Sequence, residues 1–169
     1  GTNIDVGLGD GSGNFGAPMV TSVCSGPSCN LVVALVADFD NDGVLDVAVQ
    51  QSGTPFISAV LHVLRGTGTG NLQPPISTQF YPSVRLAQDM NGDGKVDLVC
   101  DTGNGLDCLI AQGLGNGTFG AASGQLLQGP GGIGQGGAVA AGDIDGDGQP
   151  DLAYGGGAAL RNLGSTMAP

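Results

Sequence analysis

A nine-residue acidic pattern occurs three times in this chain, and its spacing constrains the fold more than any other feature. The copies are Asp38-Phe-Asp-Asn-Asp-Gly-Val-Leu-Asp46, Asp89-Met-Asn-Gly-Asp-Gly-Lys-Val-Asp97 and Asp143-Ile-Asp-Gly-Asp-Gly-Gln-Pro-Asp151, with first aspartates 51 and 54 residues apart. Self-similarity at such a period marks a repeat protein, in which each repeat is one supersecondary unit. Small or branched apolar residues precede each copy (31–37, 84–87, 138–141), and a short apolar run follows it (47–49, 98–100, 152–154). Such runs read as strands, so the acidic pattern is expected to connect two antiparallel strands.

A second landmark lies between the acidic segments, a glycine-rich turn: Gly9-Asp-Gly-Ser-Gly-Asn-Phe15, Gly66-Thr-Gly-Thr-Gly-Asn-Leu72 and Gly113-Leu-Gly-Asn-Gly-Thr-Phe119. One period then reads strand, acidic loop, strand, tight turn, strand, glycine turn, strand. Four short antiparallel strands in about 50 residues are the content of one β-propeller blade, whose innermost strand is crowded and takes small side chains. The expected fold is all-β: residues 1–30 are the second half of a blade, 31–82 and 83–137 are complete blades, and 138–169 are the first part of another. About three blades fall short of the roughly four to eight of a closed propeller, so one chain is not expected to close a ring.

Composition agrees. Thirty-four glycines serve many turns, and all 15 acidic residues are aspartates, which suit loops where glutamate would suit helix. Eleven of the fifteen lie in the three repeats, which is the clustering of ligands rather than of a solvated surface. Against a net charge of −11 there are only Arg65, Arg85, Lys95 and Arg161, too few to meet a phosphate backbone, so nucleic acid is excluded as a partner. No apolar run approaches a membrane span, so no membrane insertion is expected. The chain starts at Gly1 with neither Met nor a signal-like segment, as a mature chain or a piece of a longer one would.

The acidic segments carry the chemistry. Side-chain oxygens recur at positions 1, 3, 5 and 9, glycine at position 6 permits a sharp bend, and position 7 (Val44, Lys95, Gln149) offers its backbone carbonyl. Oxygen without nitrogen or sulfur is the donor set of a hard cation; Ca²⁺ suits a nearly all-protein cage better than Mg²⁺, which keeps its waters. An EF-hand begins with the same six-residue pattern but needs a glutamate at position 12 between helices. Position 12 is Val49, Cys100 and Tyr154, and the flanks are strand-like.

With these loops and the Gly-Asn-Phe15 and Gly-Asn-Gly-Thr-Phe119 turns, the chain resembles the FG-GAP/VCBS repeat family, which includes the integrin α propeller and many secreted and surface proteins of bacteria. The resemblance implies a Ca²⁺-stabilised propeller with one ion in each of three loops. Ligand roles then fall on Asp38, Asp40, Asp42 and Asp46; on Asp89, Asn91, Asp93 and Asp97; and on Asp143, Asp145, Asp147 and Asp151. The Gly-Asn-Leu72 turn departs from the pattern in lacking the aromatic.

The cysteines form two close pairs, Cys24/Cys29 and Cys100/Cys108, without CxxC spacing. They read as disulfides, with four buried thiols as the alternative. A hairpin around Gly103-Asn104-Gly105 would set Cys100 directly across the ladder from Cys108. Disulfides place the chain outside the reducing cytosol, secreted or at a cell surface.

Several functions compete. The favoured one is a non-catalytic extracellular structural or adhesion module clamped by calcium. Open strand edges at both ends suggest a homo-oligomer, ring or filament, or else pairing with further blades of the same longer chain. An extracellular protein or glycan ligand is a third reading, but the chain has no Trp, and Phe15 and Phe119 are expected to pack in turns. For catalysis the only histidine is His62, set in an apolar strand whose alternation makes it a sheet-face residue.

Overall fold

The computed structural model describes residues 2–26, 29–52, 59–101, 107–126, 138–154, 158–162 and 167–168. The expected hairpin tip at Gly103-Asn104-Gly105 lies outside them. Every regular element among them is a strand, and every pairing is antiparallel. The chain divides into two compact units, Gly1–Phe80 and Tyr81–Pro169.

In the first unit β1 (Asn3–Val6) and β2 (Met19–Ser22) form a two-stranded sheet. Next come β3 (Leu31–Ala37), β4 (Asp46–Gln51), β5 (Val60–Leu64) and β6 (Ile76–Gln79), hydrogen-bonded in chain order as a four-stranded meander. Val, Leu and Ile suit this pleated, half-buried surface. Val23, Val47, Val49 and Leu64 make the core, with Ile4, Leu31 and Leu72 against it.

The second unit repeats the meander twice. One sheet is β7 (Ser83–Gln88), β8 (Asp97–Asp101), β9 (Asp107–Ala111) and β10 (Ser123–Leu126); the other is β11 (Ala138–Gly142), β12 (Asp151–Tyr154), β13 (Ala158–Asn162) and β14 (Met167–Ala168). Its core is Met90, Val99, Cys108 and Leu152. In each four-stranded sheet the first strand slips register once, between Leu31 and Val33, Val84 and Leu86, or Ala138 and Ala140. The slip thus recurs in all three sheets, at the same distance from the acidic loop in the second unit's two and two residues farther from it in the first.

One expectation is corrected here. The register overturns the second disulfide: Cys100 pairs with Leu109, one residue beyond Cys108. Because the side-chain period of a strand is two, that single step sends the two sulfurs to opposite faces. Cys100 and Cys108 are reduced, buried thiols, whereas Cys24 and Cys29 form the disulfide that was read, with Cα atoms 5.8 Å apart.

Candidate metal centres

Each acidic segment joins the first two strands of a four-stranded sheet, as the flanking apolar runs required. The three loops build the same internal scaffold. At position 1 one carboxylate oxygen accepts the N–H of position 6: Gly43 to Asp38, Gly94 to Asp89 and Gly148 to Asp143, each at 2.9 Å. The position 3 oxygen accepts from the position 5 N–H at 2.8–3.2 Å, for Asp40, Asn91 and Asp145. The position 5 oxygen accepts from the position 7 N–H at 2.8–2.9 Å, for Asp42, Asp93 and Asp147. Backbone N–H groups thus aim successive side-chain oxygens at one small volume, which an acidic stretch does not do unaided, since like charges repel.

The bend needs two left-handed residues. Glycine at position 6 was read as the pivot, and Gly43, Gly94 and Gly148 have φ of 81–87° as that requires. Position 4 is left-handed as well, as Asn41 (φ 61°), Gly92 and Gly146. Asparagine and glycine tolerate that conformation best, so the signal was present in the residue types.

Position 9 plays a part that spacing did not reveal. Asp46 and Asp97 are completely buried, and each spans two elements. Asp46 accepts from Phe39 N–H (2.9 Å) and from Gly66 N–H (2.8 Å); Asp97 accepts from Met90 N–H (3.0 Å) and Gly113 N–H (2.8 Å). Asp151 takes the Ile144 N–H at 2.9 Å. Burial pushes the Asp46 and Asp97 carboxyls above the usual carboxylate range, opposed by these N–H bonds and reinforced by neighbouring carboxylates of the same loop. A carboxylate oxygen has two lone pairs, so accepting one N–H leaves capacity for a cation.

The residues fit a hard cation by their donor set and spacing. Asp38, Asp40 and Asp42 bring three carboxylate oxygens within 4.8 Å of one another, and so do Asp143, Asp145 and Asp151. Oxygens on opposite sides of a Ca²⁺ ion, at about 2.4 Å each, stand about 4.8 Å apart. In the middle loop Asn91 replaces a carboxylate, and Lys95 Nζ lies 3.4 Å from Asp93 Oδ2. The Lys95 N–H bonded to Asp93 holds that carboxyl below the usual range, and the ammonium adds to the effect. Val44, Lys95 and Gln149 are at position 7 with N–H groups committed to position 5, which leaves their carbonyls as the offered atoms.

Other charged residues were less legible. Arg65 stands 3.7 Å from Asp40, so a cation of the chain itself reaches the first loop. Arg85 bonds the buried Asp101 from the neighbouring strand, a pair no motif marked. Arg161 has its side chain outside the described residues. His62 is a sheet-face residue as expected: it is buried, with Nδ1 2.8 Å from Ser77 Oγ and Nε2 3.2 Å from Gln51 Oε1. An amide oxygen only accepts, so Nε2 carries the proton and Nδ1 accepts from Ser77.

The glycine turns recur as predicted, each closed by a bridge: Gly9 with Phe15, Gly66 with Leu72, Gly113 with Phe119. Phe15, however, is 77% exposed and does not pack as expected, whereas Leu72 packs against the first unit's core. No helix among the described residues is long and apolar enough to cross a membrane. Residues 89–154 match the family model of the FG-GAP-like repeat, a span holding the second and third acidic loops. No curated protein matches the chain.

Proposed function

Taking residues 89–154 as an FG-GAP-like repeat, we propose that this chain is a non-catalytic, extracellular structural or adhesion module whose four-stranded sheets are propeller blades clamped by calcium. The observation that carries the reading is the identical scaffold of the three loops, which gathers carboxylate oxygens to within 4.8 Å at Asp38/Asp40/Asp42 and at Asp143/Asp145/Asp151. Bringing such groups together in a chain of charge −11 opposes compaction, and three divalent cations would offset more than half of that charge.

Asp38, Asp40, Asp42 and Asp46 would hold one ion, Asp143, Asp145, Asp147 and Asp151 another, and Asp89, Asn91, Asp93 and Asp97 a third and weaker one. The ion supplies positive charge and a rigid coordination shell, and the residues supply its placement at the root of a hairpin. The Cys24–Cys29 disulfide agrees with an oxidising compartment, in which millimolar calcium sites are useful.

Calorimetric titration of chelator-treated protein with CaCl₂ and, separately, MgCl₂ tests the reading. Two stronger sites and one weaker site for Ca²⁺, with a melting temperature that drops on chelation, are expected. Absence of binding heat together with an unchanged melting temperature would remove calcium from the account.

A further inference from the structure

Of the chain's four basic residues, Arg85 is committed to the buried Asp101. Arg65, Lys95 and Arg161 fall one to each acidic hairpin, by two routes. In the first sheet the route is the end of the third strand. Leu64 stands across the ladder from Val47, the residue that follows the acidic loop, and Arg65 comes next. From there its Nη1 lies 3.7 Å from Asp40 Oδ2, at position 3 of the loop.

In the second sheet Ala111 faces Leu98, and the residue in the place of Arg65 is the uncharged Gln112. Here the cation comes from the loop itself: position 7, which is Val44 or Gln149 in the other copies, is Lys95. Its Nζ donates to Asp93 Oδ2 at 3.4 Å, and its stem lies along the glycine turn, since a Cβ built on Gly115 would meet Lys95 Cδ, Cγ and Cε at 3.1–3.5 Å. In the third sheet Leu160 faces Leu152 and Arg161 follows it, which is the register position of Arg65. The two routes alternate: the hairpin whose strand end lacks a cation is the one whose loop carries it. Neither described pair is locked. The Arg65 and Lys95 side chains are 42% and 39% exposed, and ion pairs so exposed are screened and easily parted. A Ca²⁺ ion carries twice the charge and takes several oxygens at once, so it can displace such a cation, but only against its attraction for the carboxylate.

We propose that Arg65 and Lys95 are resident counter-cations of the first and second acidic loops, which compete with Ca²⁺ for Asp40 and Asp93 and so set the affinity of each loop. In the ion-free loop the side chain offsets the mutual repulsion of the carboxylates. When the ion binds, the side chain is pushed out toward solvent, and the work of parting it is lost from the binding free energy. The inference rests on the reading of the loops as calcium sites and adds to it two side chains, outside the proposed ligands, that tune them.

Calcium titration followed by NMR at the Gly43 and Gly94 amides, which are bonded to the first aspartate of each loop, reads the two loops separately in the intact chain. Arg65→Gln and Lys95→Gln each remove one charge, the second giving the middle loop the position 7 residue of the third; Arg65→Lys and Lys95→Arg keep the charge. Each neutral variant is expected to lower the calcium dissociation constant of its own loop about threefold, the scale of an exposed ion pair, and to leave the other loop unchanged. In chelator the neutral variants should melt below wild type, and the charge-keeping variants should match wild type in both measurements. Calcium binding by the wild type with dissociation constants that neither neutral variant changes overturns the inference and leaves the calcium reading standing. Equal tightening of both loops by either variant also overturns it, as a general effect of net charge. No response at either glycine in the wild type removes the calcium reading and the inference with it.

Discussion

Asp46 and Gly66, twenty residues apart, are joined by a 2.8 Å hydrogen bond from the Gly66 N–H to a completely buried carboxylate oxygen, and Asp97 and Gly113 repeat the relationship at 2.8 Å. The last residue of the acidic loop thereby fixes the loop to the turn that ends the third strand of its sheet. Under the proposed reading, metal binding and sheet assembly would converge on one side chain.

Asp97→Ala removes an acceptor serving Met90 and Gly113 and leaves two N–H groups unsatisfied. A loss of about 2–6 kcal/mol is expected, from roughly 1–3 kcal/mol for each orphaned buried donor. Urea unfolding in chelator measures it without any ion. A loss seen only in calcium would mean that Asp97 acts through the cation alone.

Gly66→Ala and Gly113→Ala force a methyl group into the carbonyl of Leu45 or Val96. Backbone cannot yield as a side chain would, so each is expected to cost about 2 kcal/mol or more. Gly142→Ala, where nothing lies within 4 Å of the added Cβ, is the control and should be close to neutral. Thermal melts of the three variants decide the matter.

Burial holds the His62 imidazole below the usual histidine pKa of about 6.5. The unfolded chain therefore binds the proton more readily, and the contribution of neutral His62 to stability is complete above about pH 6.5 and declines as the pH falls below it. The decline is at most about 1.4 kcal/mol per pH unit, ending at the folded-state pKa. Unfolding between pH 7 and 5 should show this slope, and His62→Gln should flatten it. Asp10 acts with the opposite sign at lower pH. The Ser12 N–H, with Ser12 and Asn14 side chains, holds it down to about 2, so what it contributes is present above about pH 4 and lost as pH falls toward 2.

Alkylation of the denatured, non-reduced protein should modify two thiols, Cys100 and Cys108, and spare Cys24 and Cys29. In the native state Cys100 should react slowly, because burial pushes its thiol up to about 12 and little thiolate exists at neutral pH. Mass spectrometry counts the adducts. A single mass with none would restore a second disulfide.

Much of this protein follows from sequence because its signals are local. Asp, Asn and Gly at fixed spacing define a loop through bonds reaching no more than seven residues, as from Asp38 to Gly43 and from Asp46 to Phe39, and alternating apolar runs define strands beside it. The EF-hand alternative falls on a single position for the same reason: Val49, Cys100 and Tyr154 are strand residues. What escaped the sequence depends on long-range partners. Position 2 of the loop looked arbitrary, yet Phe39 and Met90 are buried while Ile144, in the same place, is 61% exposed. No motif marked Arg65, and only the fold sets it beside Asp40.

Chemistry within a repeat was thus determined by the sequence itself: where the oxygens gather, which residues bend the chain, and that strands flank them. Tertiary structure alone decided the register that parts Cys100 from Cys108 and the burial that makes Asp46 and Asp97 joints between loop and turn. The physical reason is the range of the determining interaction. A turn is set by backbone dihedrals and neighbours a few residues away, whereas register and burial are set by whichever strand comes to lie alongside.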